Sequence, residues 1–248
     1  MKTLLLNEII GLEKILDSDP VAITFFIGYM AMFASAVFFF TERGSVDLKW
    51  KTSLLISALI TGIAAVHYYY MRDFYLSTGQ SPTAFRYVDW TLTVPLMCVE
   101  FYLLTRPFGA KGGTLFKLIL ASLLMLITGY IGETSGIENN VFWGIISTIG
   151  YLYIVYEVFL GDVAKLARGS NRPALQKAMF LLKIFITLGW SIYPLGYMVL
   201  PGNLLSGLFE VSSIDLFYNL ADAINKIGFG LVVYTVAIAE SKKTAVPA

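Results

Sequence analysis

Residues 85–105 read Phe85-Arg86-Tyr87-Val88-Asp89-Trp90-Thr91-Leu92-Thr93-Val94-Pro95-Leu96-Met97-Cys98-Val99-Glu100-Phe101-Tyr102-Leu103-Leu104-Thr105. The run is long and apolar enough to cross the hydrocarbon of a membrane as a helix, which takes about 20 residues. Yet it carries Arg86, Asp89 and Glu100. An ionisable group at the centre of a membrane helix costs on the order of 2.5–3.5 kcal/mol, persists when paired, and usually marks a transport path. At about 100° per residue, Arg86, Asp89, Thr93, Met97 and Glu100 fall within an arc of roughly 80°. The expensive residues therefore share one face, which belongs inside a bundle rather than against lipid.

Six further apolar runs flank this one: Val21–Phe40, Trp50–Met71, Thr114–Ile131, Val141–Leu160, Leu175–Leu200 and Ile214–Ala239. Each has about 18 to 26 residues, enough to span with some tilt. In hydrocarbon a run must be helical, because nothing else satisfies its backbone groups. The expected fold class is an all-α membrane protein, a seven-transmembrane-helix bundle. Composition agrees: 57% of the 248 residues are hydrophobic and only 14% charged, against about 25% charged in a soluble domain; mean hydropathy is +0.71. Short turns join the runs, at Glu42-Arg43-Gly44-Ser45, Pro107-Phe108-Gly109 and Gly169-Ser170-Asn171-Arg172-Pro173. A single domain over residues 1–248 is expected. Leu5, Ile9, Leu12 and Leu16 predict a short surface helix within an extracellular segment 1–19, and residues 240–248 read as a cytoplasmic tail.

Cations fix the expected orientation. Arg43, Lys49 and Lys51 follow the first run, Arg106, Lys111 and Lys117 the third, Lys165, Arg168, Arg172 and Lys177 the fifth, and Lys242 and Lys243 the seventh. The other side holds Lys2, Lys14 and Arg72, and the connections 133–140 and 201–215 hold no Lys or Arg. The N-terminus is therefore expected outside and the C-terminus in the cytoplasm. A net charge of +1 leaves no footprint for nucleic acid. Cys98 is alone, so no internal disulfide forms, and the one histidine, His67, has no partners at metal-ligand spacing. Phosphate loops and nucleophile elbows are absent from the sequence.

The second and seventh runs carry buried ionisable groups too: His67, and the pair Asp222 and Lys226, which share a helical face four residues apart. With the third run pointing inward, Asp89 lies in its outer third and Glu100 about 16 Å further in. His67 comes near the level of Asp89, and Lys226 near mid-membrane with Asp222 one turn outward. The picture is a central cation with two carboxylates outside it and one carboxyl inside it. A desolvated lysine is costly unless paired or neutral, and as a neutral amine it can form a Schiff base with an aldehyde. Asp89 and Asp222 would be the counterions of that base once protonated. The geometry alone is also satisfied by a structural ion-pair network in a transporter or receptor.

The stretch Arg86–Leu96 resembles the third helix of the microbial rhodopsins, Asp222-Ala223-Ile224-Asn225-Lys226-Ile227-Gly228-Phe229-Gly230 their retinal-binding seventh helix, and Trp190-Ser191-Ile192-Tyr193-Pro194 the pocket stretch of their sixth. His67-Tyr68-Tyr69-Tyr70-Met71-Arg72 and Val94–Tyr102 are most similar to the proteorhodopsins. The resemblance implies a light-driven outward proton pump, in the bacterial inner membrane, with all-trans retinal on Lys226 as a protonated Schiff base. It implies Asp89 as proton acceptor and primary counterion, Asp222 as second counterion, Glu100 as cytoplasmic donor, His67 as partner of the acceptor, Arg86 on the outward path and Thr93 beside the Schiff base. Trp90, Trp190, Tyr193, Pro194 and Tyr197 would line the chromophore. Met97 occupies the tuning position, where an apolar residue resembles the green-absorbing class. A homo-oligomer, pentamer or hexamer, follows by analogy only.

Competing readings leave marks of their own. A sodium-pumping relative would carry Asn, Asp and Gln where Asp89, Thr93 and Glu100 stand, and a chloride pump would lack the acceptor carboxylate. Photosensory receptors acting through a transducer often lack the donor carboxyl. The outer residues Glu133, Glu138 and Glu210 give no obvious match to the paired release glutamates of bacteriorhodopsin, so the release group is not assigned by resemblance.

Overall fold

The computed structural model describes residues 19–135, 137–199, 203, 205–207 and 214–244. The proposed surface helix before residue 19, Glu210, the side chain of Glu138 and the end of the tail lie outside them. Among the described residues nine α-helices follow in order: α1 (Pro20–Glu42), α2 (Lys51–Thr78), α3 (Thr83–Thr105), α4 (Gly112–Thr134), α5 (Ile137–Phe159), α6 (Asp162–Gly169), α7 (Pro173–Ile184), α8 (Ile192–Val199) and α9 (Ile214–Thr244). Seven stretches among the described residues are long and apolar enough to cross a membrane, with α7 and α8 forming the sixth together. No strand occurs among the described residues. The chain is thus a seven-helix, all-α bundle. Consecutive spans are neighbours, and α9 packs against α1, α2 and the sixth span, closing the bundle.

Helix ends follow local chemistry. The Asp19 carboxylate accepts hydrogen bonds from the backbone N–H groups of Val21 (2.9 Å) and Ala22 (3.3 Å), and Pro20 opens α1 where its missing N–H costs nothing. Apolarity in the second run fades at Met71, but α2 continues to Thr78. Arg72 and Asp73 do not break a helix; it ends at Gly79, whose φ of +68° suits a residue without a Cβ. Large side chains such as Phe33, Phe116, Phe142 and Leu188 stand exposed on the outer faces, as lipid contact requires.

The sixth span is not one regular helix, which its apolar pattern did not predict. Residues Phe185–Gly189 form a π turn, in which the Trp190 N–H donates to the Phe185 carbonyl at 3.0 Å. The Tyr151 hydroxyl donates to the neighbouring Ile186 carbonyl at 3.0 Å. Pro194 lies one turn on and offers no N–H to the Trp190 carbonyl, which instead accepts from the Tyr193 N–H at 3.2 Å. Such single-turn widenings re-aim the side chains that follow, here those at the cavity.

Helices α4 and α5 meet backbone to backbone at Gly150. A Cβ there would lie 2.7 Å from the Ala121 carbonyl oxygen and 2.9 Å from the Met125 amide nitrogen, neither able to rotate away. Gly150→Ala is expected to lower stability by about 1–3 kcal/mol through overpacking. Gly113→Ala, where a Cβ meets nothing within 4 Å, should not. Thermal loss of helical circular dichroism in detergent measures both.

Candidate functional site

The centre of the site is the Lys226 ammonium, 2% exposed. Its Nζ donates to Asp89 Oδ2 at 2.7 Å and to Asp222 Oδ2. Asp222 lies one turn away on α9, while Asp89 comes from α3. Two carboxylates on different helices thus converge on one buried cation. A buried charge stripped of its partner costs about 3–5 kcal/mol, so the three groups hold one another in place.

Each carboxylate has a further polar neighbour, although Asp89 Oδ1 makes no hydrogen bond among the described residues. His67 on α2 sets Nδ1 3.5 Å from Asp89 Oδ1, with the same nitrogen 3.0 Å from the Ile63 carbonyl. Asp222 Oδ1 accepts from Trp90 Nε1 at 3.2 Å and from the Tyr193 hydroxyl at 3.0 Å. The Asn225 amide donates to that hydroxyl at 3.4 Å. Trp90 and Tyr193 pack against each other, ring centroids 4.7 Å apart. Thr93 is fully buried and turns its hydroxyl to the Asp89 carbonyl, 2.9 Å away, rather than to a carboxylate.

A cavity of about 780 Å³ lies between α3, α4, α5 and the sixth span. Trp90, Trp190, Tyr193, Pro194 and Tyr197 all line it, with Val94, Met125, Gly144 and Ile145 among the apolar remainder. The rings of Trp90 and Tyr193 that line the cavity are the same rings that bond Asp222 beside Lys226. Tyr197 marks the other end, donating to the Asn140 carbonyl at 2.6 Å. Size and lining suit a long apolar molecule, and the amine behind the two rings suits an aldehyde at one end of it. Met97 is buried in the main core cluster and is not among the lining residues.

Glu100 stands apart from this centre, eleven residues along α3 and about 16 Å from Asp89 by helix rise. It is fully buried. Oε1 accepts from the Ser57 hydroxyl at 3.3 Å, and Oε2 has no hydrogen-bond partner among the described residues. On the opposite side of Lys226, Arg86 Nη2 pairs with Asp215 Oδ1 at 2.7 Å and Nη1 donates to Asn219 Oδ1 at 3.2 Å. Its guanidinium carbon sits 5.0 Å from the centre of the Tyr218 ring. Glu133 accepts from the Thr83 hydroxyl at 3.4 Å at the same end.

Sequence reasoning missed Ser57, Asn219, Asn225 and above all Asp215. The last looks like the edge of a connection, but it lies seven residues from Asp222, which returns a helix to the same face. That register was the available signal.

The profile of the family described as bacteriorhodopsin-like protein matches residues 19–240. The chain is 46% identical over 226 residues to the blue-light absorbing proteorhodopsin of Gamma-proteobacterium Hot 75m4, covering 90% of this chain and 88% of that one. It is 45% identical over 225 residues to the green-light absorbing proteorhodopsin of Gamma-proteobacterium EBAC31A08, covering 90% and 89%. Among solved structures, the blue light-absorbing proteorhodopsin from Med12 superposes with a TM-score of 0.75 at 43% identity, covering 90% of this chain and all of that one. Xanthorhodopsin, described as a light-driven ion pump with dual chromophore, gives 0.80 at 28% identity, covering 92% and 95%. A lysine held between acids in a seven-helix bundle, a profile match along nearly the whole chain and relatives this similar lead to one assignment: the chain belongs to the bacteriorhodopsin-like family, among the microbial rhodopsins, with the proteorhodopsins as close relatives.

Proposed function

We propose that this chain is a light-driven pump that moves protons outward across a bacterial cytoplasmic membrane, with all-trans retinal attached to Lys226. The observation that carries the reading is the unequal placement of acids about one buried amine: Asp89 and Asp222 touch it, and Glu100 lies remote from it on the far side. Orientation comes from charge. Arg43, Lys49, Arg106, Lys111, Lys165, Arg172 and Lys242 gather at the end of the bundle nearer Glu100, which makes that end cytoplasmic. The residues 1–248 act as one retinal-binding unit, and a ring-shaped homo-oligomer rests on family resemblance alone.

Retinal bound to Lys226 supplies light absorption and a bond rotation that redirects the nitrogen's N–H; the proton movements belong to the chain's own residues. In the dark Lys226 Nζ keeps its proton because two carboxylates face it. On excitation that proton passes to Asp89 Oδ2, the oxygen already 2.7 Å away. His67 stands beside the other oxygen of the acceptor, its Nδ1 3.5 Å away. Glu100 then returns a proton to Lys226 Nζ and takes another from the cytoplasmic side. Each turn moves one proton from the Glu100 side to the Asp89 side, and the direction follows from the two acids lying on opposite sides of the nitrogen. Arg86 occupies the outward path beyond Asp89. Trp90, Trp190, Tyr193, Pro194 and Tyr197 confine the chromophore.

Cells expressing the chain with retinal should acidify their medium on illumination, and a protonophore should abolish the signal. Lys226→Ala should be colourless and silent in that assay; Asp89→Asn should red-shift the pigment and stop pumping. Normal pumping by either variant would refute the assignment. Glu100→Gln should leave the colour unchanged and slow reprotonation of the nitrogen by about a hundredfold or more, read by flash photolysis. Met97→Gln should move the absorption maximum to the blue, a shift that static spectra record directly.

A further inference from the structure

Asp215 takes no part in the cycle just described, yet it makes the shortest contact that Arg86 has. Its side chain is 8% exposed, and it accepts from Arg86 Nη2 at 2.7 Å and from the Ser81 hydroxyl at 2.8 Å on the same oxygen. Asp222 and Asp215 lie seven residues apart on one face of α9, so their backbones are separated by about 10 Å along the axis. Arg86 stands one turn outward of Asp89 on α3. Its guanidinium is fastened on the outer side alone, with Nη2 on Asp215 and Nη1 on Asn219, which is itself bonded to Thr24 Oγ1 at 3.0 Å. The remaining donor, Nε, has no hydrogen-bond partner among the described residues. Among the described residues neither Asp89 nor Asp222 is paired with Arg86, although Asp222 lies within electrostatic reach of it and Asp89 is one turn away on the same helix.

We propose that Asp215 is a positioning residue that tethers Arg86 on the outer side and so keeps the guanidinium off the acceptor Asp89 in the resting protein. This rests on the pump reading of the same site. An arginine side chain is long and flexible, and a cation brought within about 4–6 Å of a carboxylate stabilises its ionised form by one to three powers of ten in proton concentration. With the tether in place the cation that pairs with Asp89 among the described residues is Lys226, and His67 Nδ1 stands 3.5 Å from its other oxygen. Held outward, the guanidinium does not stabilise the ionised form of Asp89, which leaves that carboxylate the readier proton acceptor; once Asp89 is neutral, Asp215 remains the stronger attraction for Arg86. The other charged or titratable groups facing Asp215 are Glu133 from α4, Tyr75 from α2 and Tyr218 from α9. Those facing Asp89 are Lys226, Asp222, His67, Tyr68 and Tyr193.

The test is the pH at which the retinal-loaded pigment reddens as Asp89 is neutralised, read by static absorption for the full chain in lipid vesicles. Asp215→Asn should move that transition to about tenfold higher proton concentration, because the released guanidinium can approach Asp89. Asp215→Glu, which keeps the charge, should move it far less. The loss of the Asp215 charge could act through space instead, so the same substitution is made without the arginine. Arg86→Gln/Asp215→Asn should match Arg86→Gln, and an equal shift in both backgrounds would overturn the tether, as would an unmoved transition in Asp215→Asn. Should only the single variant fail to assemble, pigment formation by the double variant supports the pairing, since only the single variant strands a buried guanidinium. A wild-type chain that takes up no retinal would instead refute the pump reading itself.

Discussion

One buried ammonium between two carboxylates is the constraint on which the bundle turns. Lys226 would not tolerate its depth unpaired, and neither would Asp89 or Asp222. Their mutual satisfaction fixes the register of α3 against α9 to within a hydrogen bond. It also recruits neighbours, since the carboxylate oxygens not turned to Lys226 draw His67 from α2, Trp90 from α3 and Tyr193 from the sixth span. Five side chains on four spans are thereby placed relative to one atom, Nζ. Apolar packing closes the bundle, but lipid is as apolar as the core and gives the helices little preference for one rotation over another. The polar centre supplies that preference.

Outward from Nζ the buried charges alternate in sign. Lys226 faces Asp89 and Asp222, Arg86 follows, and Asp215 follows Arg86. Each charge has an opposite neighbour, so the row is stable at rest, and any change in the charge of one member alters the balance on the next. Serine, asparagine and tyrosine side chains flank it throughout. The inward half is different in kind. Between the centre and Glu100 the buried side chains include Met97 and Phe229 beside Thr61, no ion pair occurs there among the described residues, and the carboxyl accepts from the Ser57 hydroxyl.

Much of this was legible in the sequence because helices repeat. Arg86, Asp89, Thr93 and Glu100 were readable as one face from their spacing, and Asp222 with Lys226 from theirs. The seven spans followed from hydropathy. What spacing could not convey was any meeting between helices. The bond from Ser57 to Glu100 joins residues 43 apart, and the pair Arg86–Asp215 joins residues 129 apart. Asp215 escaped notice for a further reason: an acid at the first turn of a span reads as a solvated end, and only the fold shows Ser81 and Arg86 enclosing it. The π turn at Phe185–Gly189 was hidden likewise, because the hydroxyl that meets its Ile186 carbonyl, Tyr151, comes from another span.

That π turn ties the cavity to the charge row. A widened turn shifts the rotation of everything after it, and what comes after is Trp190, Tyr193, Pro194 and Tyr197, the sixth span's share of the cavity wall. Tyr193 belongs to both systems: its ring lines the cavity and its hydroxyl bonds Asp222. A regular helix through Phe185–Gly189 would rotate that hydroxyl off the carboxylate, and Asp222 would lose one of the groups that holds it against Lys226. The irregular backbone of the sixth span is therefore part of what keeps the acids converged on the amine. A distortion in one helix, tolerable in a membrane because Tyr151 caps the freed carbonyl, sets the geometry of a cation carried on another.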